Sequence, residues 1–409
     1  MELCHLEVIQ NQKRAAEPKP KLWTLNYVLI CLSSLMVCLS FHSLIPTLPM
    51  YIQEHGGSSG MAGLAIAALT VSAVITRPIT GWALDRYGRR GILIAGLIIF
   101  LIPSLVYIMM LPVIPLLFLR FVQGFGWGMG TTAQGTVASD LISSGRLGEG
   151  LGFYSLAISI SLATSPAIGL WVADRFSFHV LFTAGSLLIM VSLALALMIK
   201  YPKLAASNQP SKLVLMEKQA LRPSAVILLT TITYSSLLSF LALFVQEKGM
   251  SAAGLFFTVM AITTFISRPL SGIFVDKNGR AGYDLIVFTG LAAIIAAMII
   301  VAQTSNWWHL LCGGILFGIG FGSVQPTMLA LCINNVPDNK RGAANATYWT
   351  SFDIGIAFGS VLWGIIANYF GYEYMFYLAV VPLLLAMFVY FMNKYAGRRQ
   401  VEQIPEAGN

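Results

Sequence analysis

Asp353 is the one acidic residue that we place deep inside an apolar run of this sequence, in the segment 343–369. Loss of solvation favours the neutral form of such a carboxyl group, and a neighbouring arginine favours its anion. Competition between the two lets a carboxyl take up and release a proton, so a lone acid in such a run is a functional candidate. The competing interpretation is a fixed ion pair with Arg120 or another buried base. His42, in the run 25–47, is a second proton-exchange candidate. A single histidine among apolar residues also serves as an ordinary hydrogen-bond partner.

Three arginines share this setting. Arg120 stands with Gln123, Trp127, Thr131 and Gln134 at spacings that put all five in one arc of a helix, so one face is polar. Lipid does not tolerate such a face, which must point into protein or water. It either lines a cavity, with Arg120 as its charged member, or hydrogen-bonds to neighbouring helices. Arg77 and Arg268 each precede a proline and each lie eight residues before an aspartate, Asp85 and Asp276. That spacing is about 12 Å along a helix. Two arginines at matched depth either bond carbonyls freed by Pro78 and Pro269, or snorkel outward, or meet an anionic ligand in a cavity.

The match between Arg77 and Arg268 is part of a larger repeat. Residues 75–91 and 266–282 agree at eight of seventeen positions with a constant offset. The shared residues include Gly81/Gly272, Asp85/Asp276, Gly88/Gly279 and Arg89/Arg280, and Arg86 answers Lys277. Gln53-Glu54 answers Gln246-Glu247, Gly124-Phe-Gly126-Trp-Gly128 answers Gly318-Ile-Gly320-Phe-Gly322, and Arg146-Leu-Gly148 answers Lys340-Arg-Gly342. Repeats of half a chain in an apolar protein indicate two membrane bundles around one path.

The elements that carry these residues follow from composition. The chain has 409 residues, 57% hydrophobic and 10% charged, with a mean hydropathy of +0.76. A soluble domain carries about 25% charged residues. Runs of about 20 apolar residues span a bilayer, and the sequence predicts twelve: 25–47, 60–84, 92–111, 115–139, 149–171, 178–200, 224–246, 253–275, 284–303, 308–334, 343–369 and 373–393. This gives a cytoplasmic tail over 1–23, a six-helix bundle over 24–200, a cytoplasmic linker over 201–223, a second bundle over 224–395 and a tail over 396–409. Corresponding spans are six apart, so the halves share one orientation. The net charge of +8 does not signal nucleic acid. Of the lysines and arginines only Arg175 and Lys248 fall on one side and Arg77, Arg120 and Arg268 inside spans. The rest share the other side, which the positive-inside bias makes cytoplasmic, together with both termini.

Glycine runs near 124–130 and 312–322 lie inside apolar helices with no preceding strand, so they are packing glycines rather than phosphate loops. No metal-ligand cluster, Walker sequence or nucleophile elbow is present, which excludes an enzyme and leaves no cofactor to assign. The five cysteines form no Cys-x-x-Cys and read as packing residues.

Gly81-x-x-x-Asp85-Arg86-x-Gly88-Arg89-Arg90 resembles the signature between the second and third helices of the major facilitator superfamily. Arg120-x-x-Gln123-Gly124-x-Gly126 resembles a second superfamily motif. Ser161-x-x-x-Ser165-Pro166-x-x-Gly169 resembles, with serine in place of two glycines, the fifth-helix motif of bacterial twelve-helix drug:proton antiporters. The resemblance covers the whole membrane region. It implies an all-α fold of twelve transmembrane helices in two pseudo-symmetric bundles, working by alternating access in the cell membrane. It also implies a cytoplasmic latch: Asp85 caps the helix starting near Gly342 and Asp276 the one near Gly148, with Gly81 and Gly272 allowing close approach. Arg86, Arg89 and Arg90 are expected to pair with Asp140 or Glu149.

On the helices that line the centre in that family stand Phe41, Tyr154, Tyr234, Tyr348 and Trp349, with Ser235, Ser239 and Gln325. Rings mixed with hydroxyls suit an amphipathic ligand. The expectation is a proton-coupled exporter, an antiporter of drugs or secreted metabolites, acting as a monomer with lipid, protons and a small molecule as its only partners. Two alternatives stand beside it: an importer or exporter of organic anions using the buried arginines, and a non-transporting membrane receptor or scaffold.

Overall fold

Backbone amides find no water inside a bilayer, so an apolar chain must satisfy them within each segment, and the helix does this locally. The computed structural model describes residues 21–57, 59–143, 145–201, 216–250 and 253–401, without the side chains at 59, 60, 62, 63, 163, 253 and 393–401. Among the described residues there is no strand, and ten helices are long and apolar enough to cross a membrane. Two of these hold two spans each.

The first half contains α1 (Leu25–Glu54), α2 (Ser59–Tyr87), α3 (Arg89–Tyr107), α4 (Val113–Leu141), α5 (Leu147–Arg175) and α6 (Phe178–Met198). The second begins with α7 (Leu221–Glu247). The stretch Ala253–Ala302 is broken at Gly279, with φ 52° and ψ −135°, into α8 (253–278) and α9 (280–302). Then comes α10 (Trp307–Asn334). Arg341–Leu378 is broken at Gly371, with φ 81°, giving α11 (341–370) and the start of α12, which continues through Val381–Val401. Gly88, the repeat partner of Gly279, turns the chain between α2 and α3 at φ 91°. Only glycine adopts such angles without a Cβ clash, which accounts for this part of the repeated motif.

Thr24, Ser177 and Asn306 cap helix starts with side-chain oxygens that accept from the amides of Tyr27, Val180 and His309. Several helices run past the apolar runs read from sequence, because hydropathy marks the lipid core and not the end of the helix. The membrane side bearing the link between the halves is called the linker side here, and the opposite one the far side. The expected N-terminal tail as far as residue 20, the linker from 202 to 215 and the C-terminal tail from 402 lie outside the described residues.

Within the first half, α1 packs on α5 and α6, and α4 on α2 and α3; in the second, α10 packs on α8 and α9, and α7 on α11 and α12. Two seams join the halves, α2 against α11 and α5 against α8. One apolar core includes Leu84, Leu151, Val275 and Ala344 at the seams and continues to Phe244 and Phe376 in the second half. The far end of the first half forms a separate cluster around Leu48, Tyr51, Tyr107 and Phe182. Every described hydrogen bond between the halves lies between mid-membrane and the linker side. Among the described residues the hydrogen bonds that join the halves are thus gathered on the linker side.

Candidate functional site

The end of α2 shows what the repeated motif builds. Asp85 accepts hydrogen bonds from Gly342 N at 2.9 Å and Ala343 N at 2.8 Å, two of the orphan donors that open α11. Negative charge there also meets the positive end of the helix dipole. One turn earlier, a Cβ on Gly81 would stand 2.6 Å from Ala346 Cβ and 2.8 Å from Gly342 O, so only glycine admits this crossing. Arg89, buried at the start of α3, donates to Asp85 Oδ1 and Asp140 Oδ2, both at 2.8 Å, and to Asp338 O at 3.0 Å. Arg341 of α11 reaches Asp140 Oδ1 at 3.4 Å and Ser139 O at 3.1 Å. Asp85, Arg89, Asp140 and Arg341 thus form one charged network across the α2–α11 seam.

The equivalent α5–α8 seam has the same scaffold and fewer charges. Asp276 accepts from Gly148 N at 3.0 Å and Glu149 N at 2.7 Å. Gly272 lies against Gly148 and Glu149 N. Asn334 stands where the other half has Asp140, and donates to Tyr283 Oη at 2.8 Å. Lys277 and Arg280 are exposed. The expected pairing of three arginines with Asp140 or Glu149 holds only for Arg89. Arg86 lies over the rings of Trp82 and Tyr87, Arg90 is exposed, and Glu149 is taken by Arg146 at 2.8 Å.

Arg77 and Asp353 meet at mid-membrane. Arg77 Nε donates to Asp353 Oδ2 at 2.8 Å, joining α2 to α11. Nη1 of the same guanidinium donates to Thr131 at 3.1 Å and Thr132 at 3.3 Å, and its carbon lies 5.7 Å from the centre of the Trp349 ring. The Arg77 side chain is 3% exposed and that of Asp353 is 19% exposed. Asp353 therefore pairs with Arg77, not Arg120. Arg268, at the matching place in α8, has no carboxylate. It donates to Ser155 O of α5 at 2.6 Å and to the side-chain oxygen of Gln325. Neither arginine snorkels, and neither bonds a carbonyl freed by its proline: the cations are held across the seams. Asn345 adds a contact that sequence reasoning missed, donating to Thr132 O and Thr136 Oγ1, both at 3.1 Å. An asparagine in an apolar stretch was the available signal.

Arg120 is buried and has no described acid partner. Its Nη1 donates to Gln123 Oε1 at 2.7 Å, its Nε has no partner, and its guanidinium lies 5.6 Å from the Phe41 ring. Phe41 stacks on Trp127 with ring centres 3.8 Å apart. Gln123 also accepts from Tyr107 and donates to Ser104 of α3, while Gln134 donates to Ser33 of α1. The polar face of α4 is therefore divided. Trp127 and Thr131 are half-buried, whereas Gln123 and Gln134 are fully buried in hydrogen bonds to their own bundle.

His42 Nδ1 lies 2.6 Å from Ser161 Oγ, which is 3.4 Å from Ser165 Oγ. The two serines that replace glycine in the fifth-helix motif thus stand at the imidazole. Beyond the helical Pro166, a Cβ on Gly169 would be 2.8 Å from Ser43 O, so α1 and α5 touch closely there. Several expected cavity residues are core in this conformation. Tyr154 meets Ser34, Tyr234 packs on Phe317 and Phe321, Ser235 bonds Ile232 O, and Tyr348 donates to Gln325 O. Phe41 and Trp349 are half-buried, and Ser239, 3.3 Å from Ser360, is exposed. Among the described residues no group of acids, histidines and cysteines is placed to hold a metal ion.

The family model of the major facilitator superfamily matches residues 30–360 and 285–408. The multi-drug resistance efflux pump PmrA of Streptococcus pneumoniae is 26% identical over 380 residues, covering 87% of this chain and 92% of PmrA. The quinolone resistance protein NorA of Staphylococcus aureus is 22% identical, covering 80% of this chain and 86% of NorA. Among solved structures, the human organic anion transporter MFSD10 (TETRAN) superposes with a TM-score of 0.78 at 17% identity, covering 91% of this chain and 100% of that one. At that identity the likeness concerns the fold.

Proposed function

The chain belongs to the major facilitator superfamily, and from that premise we propose that it is a proton-coupled exporter of small amphipathic molecules, working by alternating access across the cell membrane. The observation that carries this reading is the Arg77–Asp353 pair, a carboxylate at mid-membrane that ties one half to the other while keeping partial exposure. A carboxylate in this place has two stable conditions: anionic beside the guanidinium, or protonated without it. Exchange between them couples a proton to the α2–α11 seam. The two aspartate-capped seams would hold the linker side shut in one state and part in the other. Export rather than import is favoured by the relatedness to PmrA and NorA, whose names record drug efflux and resistance. The charge placement in the sequence supports a cytoplasmic linker side.

The test is a proteoliposome assay with an imposed pH gradient and a panel of amphipathic dyes. Asp353→Asn is expected to abolish gradient-driven accumulation while leaving downhill exchange of neutral dyes. Accumulation at the wild-type level in that variant would remove Asp353 from the coupling path and leave His42, held at Ser161, as the candidate. One observation favours a second reading, transport of organic anions: Arg120 carries a buried charge with no described acid beside it. Arg120→Gln would then abolish uptake of anionic dyes and spare cationic ones; the reverse pattern excludes it.

A further inference from the structure

Building on the proton role given to Asp353, we infer that the Arg77 guanidinium is a tethered stand-in for the cation of this site, occupying the place that an aromatic organic monocation takes when it binds. Four groups converge on the guanidinium: the Asp353 carboxylate at 2.8 Å, the Thr131 and Thr132 hydroxyls at 3.1 and 3.3 Å, and the Trp349 ring at 5.7 Å. A carboxylate, two oxygen acceptors and an indole face are the recognition set for an organic cation. Here the protein's own wall fills it. Thr131 in turn donates to the carbonyl of Trp127, whose ring stacks on Phe41, so flat aromatic faces adjoin the charge site.

A carboxylate at this depth requires a positive partner or a proton in every state. Arg77, a proton and a ligand cation are mutually exclusive occupants, because each satisfies the same anion. Only the first bridges α2 and α11. Occupation by either of the others removes a tie between the halves, so ligand binding and seam opening become one event. The groups that face this pair are few. Arg77 comes from α2, Thr131 and Thr132 from α4, and Trp349 from α11 itself, with the Tyr154 phenol of α5 in electrostatic reach of Arg77. Among the described residues no other acid or base bonds to either partner. The matching cation on α8, Arg268, rests on the Ser155 carbonyl, which cannot exchange its partner for a proton. Exchange is thus confined to one seam.

The experiment uses the full chain in lipid nanodiscs with tetraphenylphosphonium as probe. Affinity is read by calorimetry and seam opening by electron–electron resonance between labels at Tyr87→Cys and Asn339→Cys, both exposed, with native cysteines replaced. Removing a competitor should help the ligand: Arg77→Gln is expected to bind the probe about ten-fold more tightly and to open the seam without ligand. Arg77→Lys, which keeps the charge and guards against a folding defect, should stay closed and bind near the wild-type level. Asp353→Asn should lose the probe in either background. Unchanged or weaker probe affinity in monodisperse Arg77→Gln overturns the inference. If Asp353→Asn still uncouples transport in that case, the exporter reading stands without it. If coupling instead survives Asp353→Asn while Arg77→Gln binds more tightly, the proton role falls and the stand-in remains.

Discussion

The two seams that join the halves are built from one repeated segment, yet they differ in what they can respond to. Both have a glycine at the crossing and an aspartate on the first amides of the opposite helix. The α2–α11 seam adds Arg89, Asp140 and Arg341 at its end and Arg77–Asp353 at its depth. The α5–α8 seam has the Arg146–Glu149 pair beside its Asp276 cap and Arg268 on the Ser155 carbonyl, while Asn334, the counterpart of Asp140, bonds Tyr283 within the second half. The glycines and capping aspartates of the repeat supply the contact geometry at both seams, while positions that differ between the copies, Asp140 against Asn334 and Asp353 in the second half alone, decide which arginines find a buried carboxylate. Neutral hydrogen bonds hold a surface without making it responsive; a buried ion pair is costly to break singly and easy to re-partner.

The strongest test of this comparison attacks what the seams share. Gly81→Leu and Gly272→Leu insert bulk where α11 and α5 lie in contact, and overpacking alone costs about 1–3 kcal/mol. Each should lower dye efflux more than about ten-fold at matched expression; normal efflux in either would show that its seam does not need close approach. The next test attacks the difference. Asp140→Asn deprives Arg89 and Arg341 of a buried partner and should cost about 3 kcal/mol, whereas Asn334→Ala removes one hydrogen bond and should cost about 1 kcal/mol. Thermal unfolding in detergent reads both, and equal losses would erase the asymmetry. The smallest effect is expected at the exposed repeat partners Arg86 and Lys277. Lys277→Gln should change stability by less than about 0.5 kcal/mol, and Arg86→Gln by up to about 1 kcal/mol through its two aromatic contacts.

Much of the scaffold was legible because it rests on local or duplicated signals. Apolar runs located the spans, and the repeat exposed Gly81/Gly272 and Asp85/Asp276 as pairs. The targets of those aspartates, Gly342 and Gly148, came from likeness to a family and not from spacing. Division of the α4 face was not legible. A polar arc read at 100° per residue includes both Thr131, which meets Arg77, and Gln134, which turns to Ser33. The break at Gly371 falls between the spans read as 343–369 and 373–393, but nothing in its neighbours marks which residue takes φ 81°.

Sequence alone determined the apolar spans, the two like halves, and the placement of Arg77, Arg120, Arg268 and Asp353 inside spans. These follow from the cost of exposing backbone or charge to lipid, which is read residue by residue. Tertiary structure alone decided the partners: Asp353 with Arg77, Arg268 with Ser155, and Arg120 with Gln123 and no acid. A hydrogen bond is set within a few tenths of an ångström, while one residue along a helix moves a side chain by 1.5 Å and 100°. Partners 276 residues apart in the chain depend on how whole helices rotate and cross, and that is fixed only when every helix has packed.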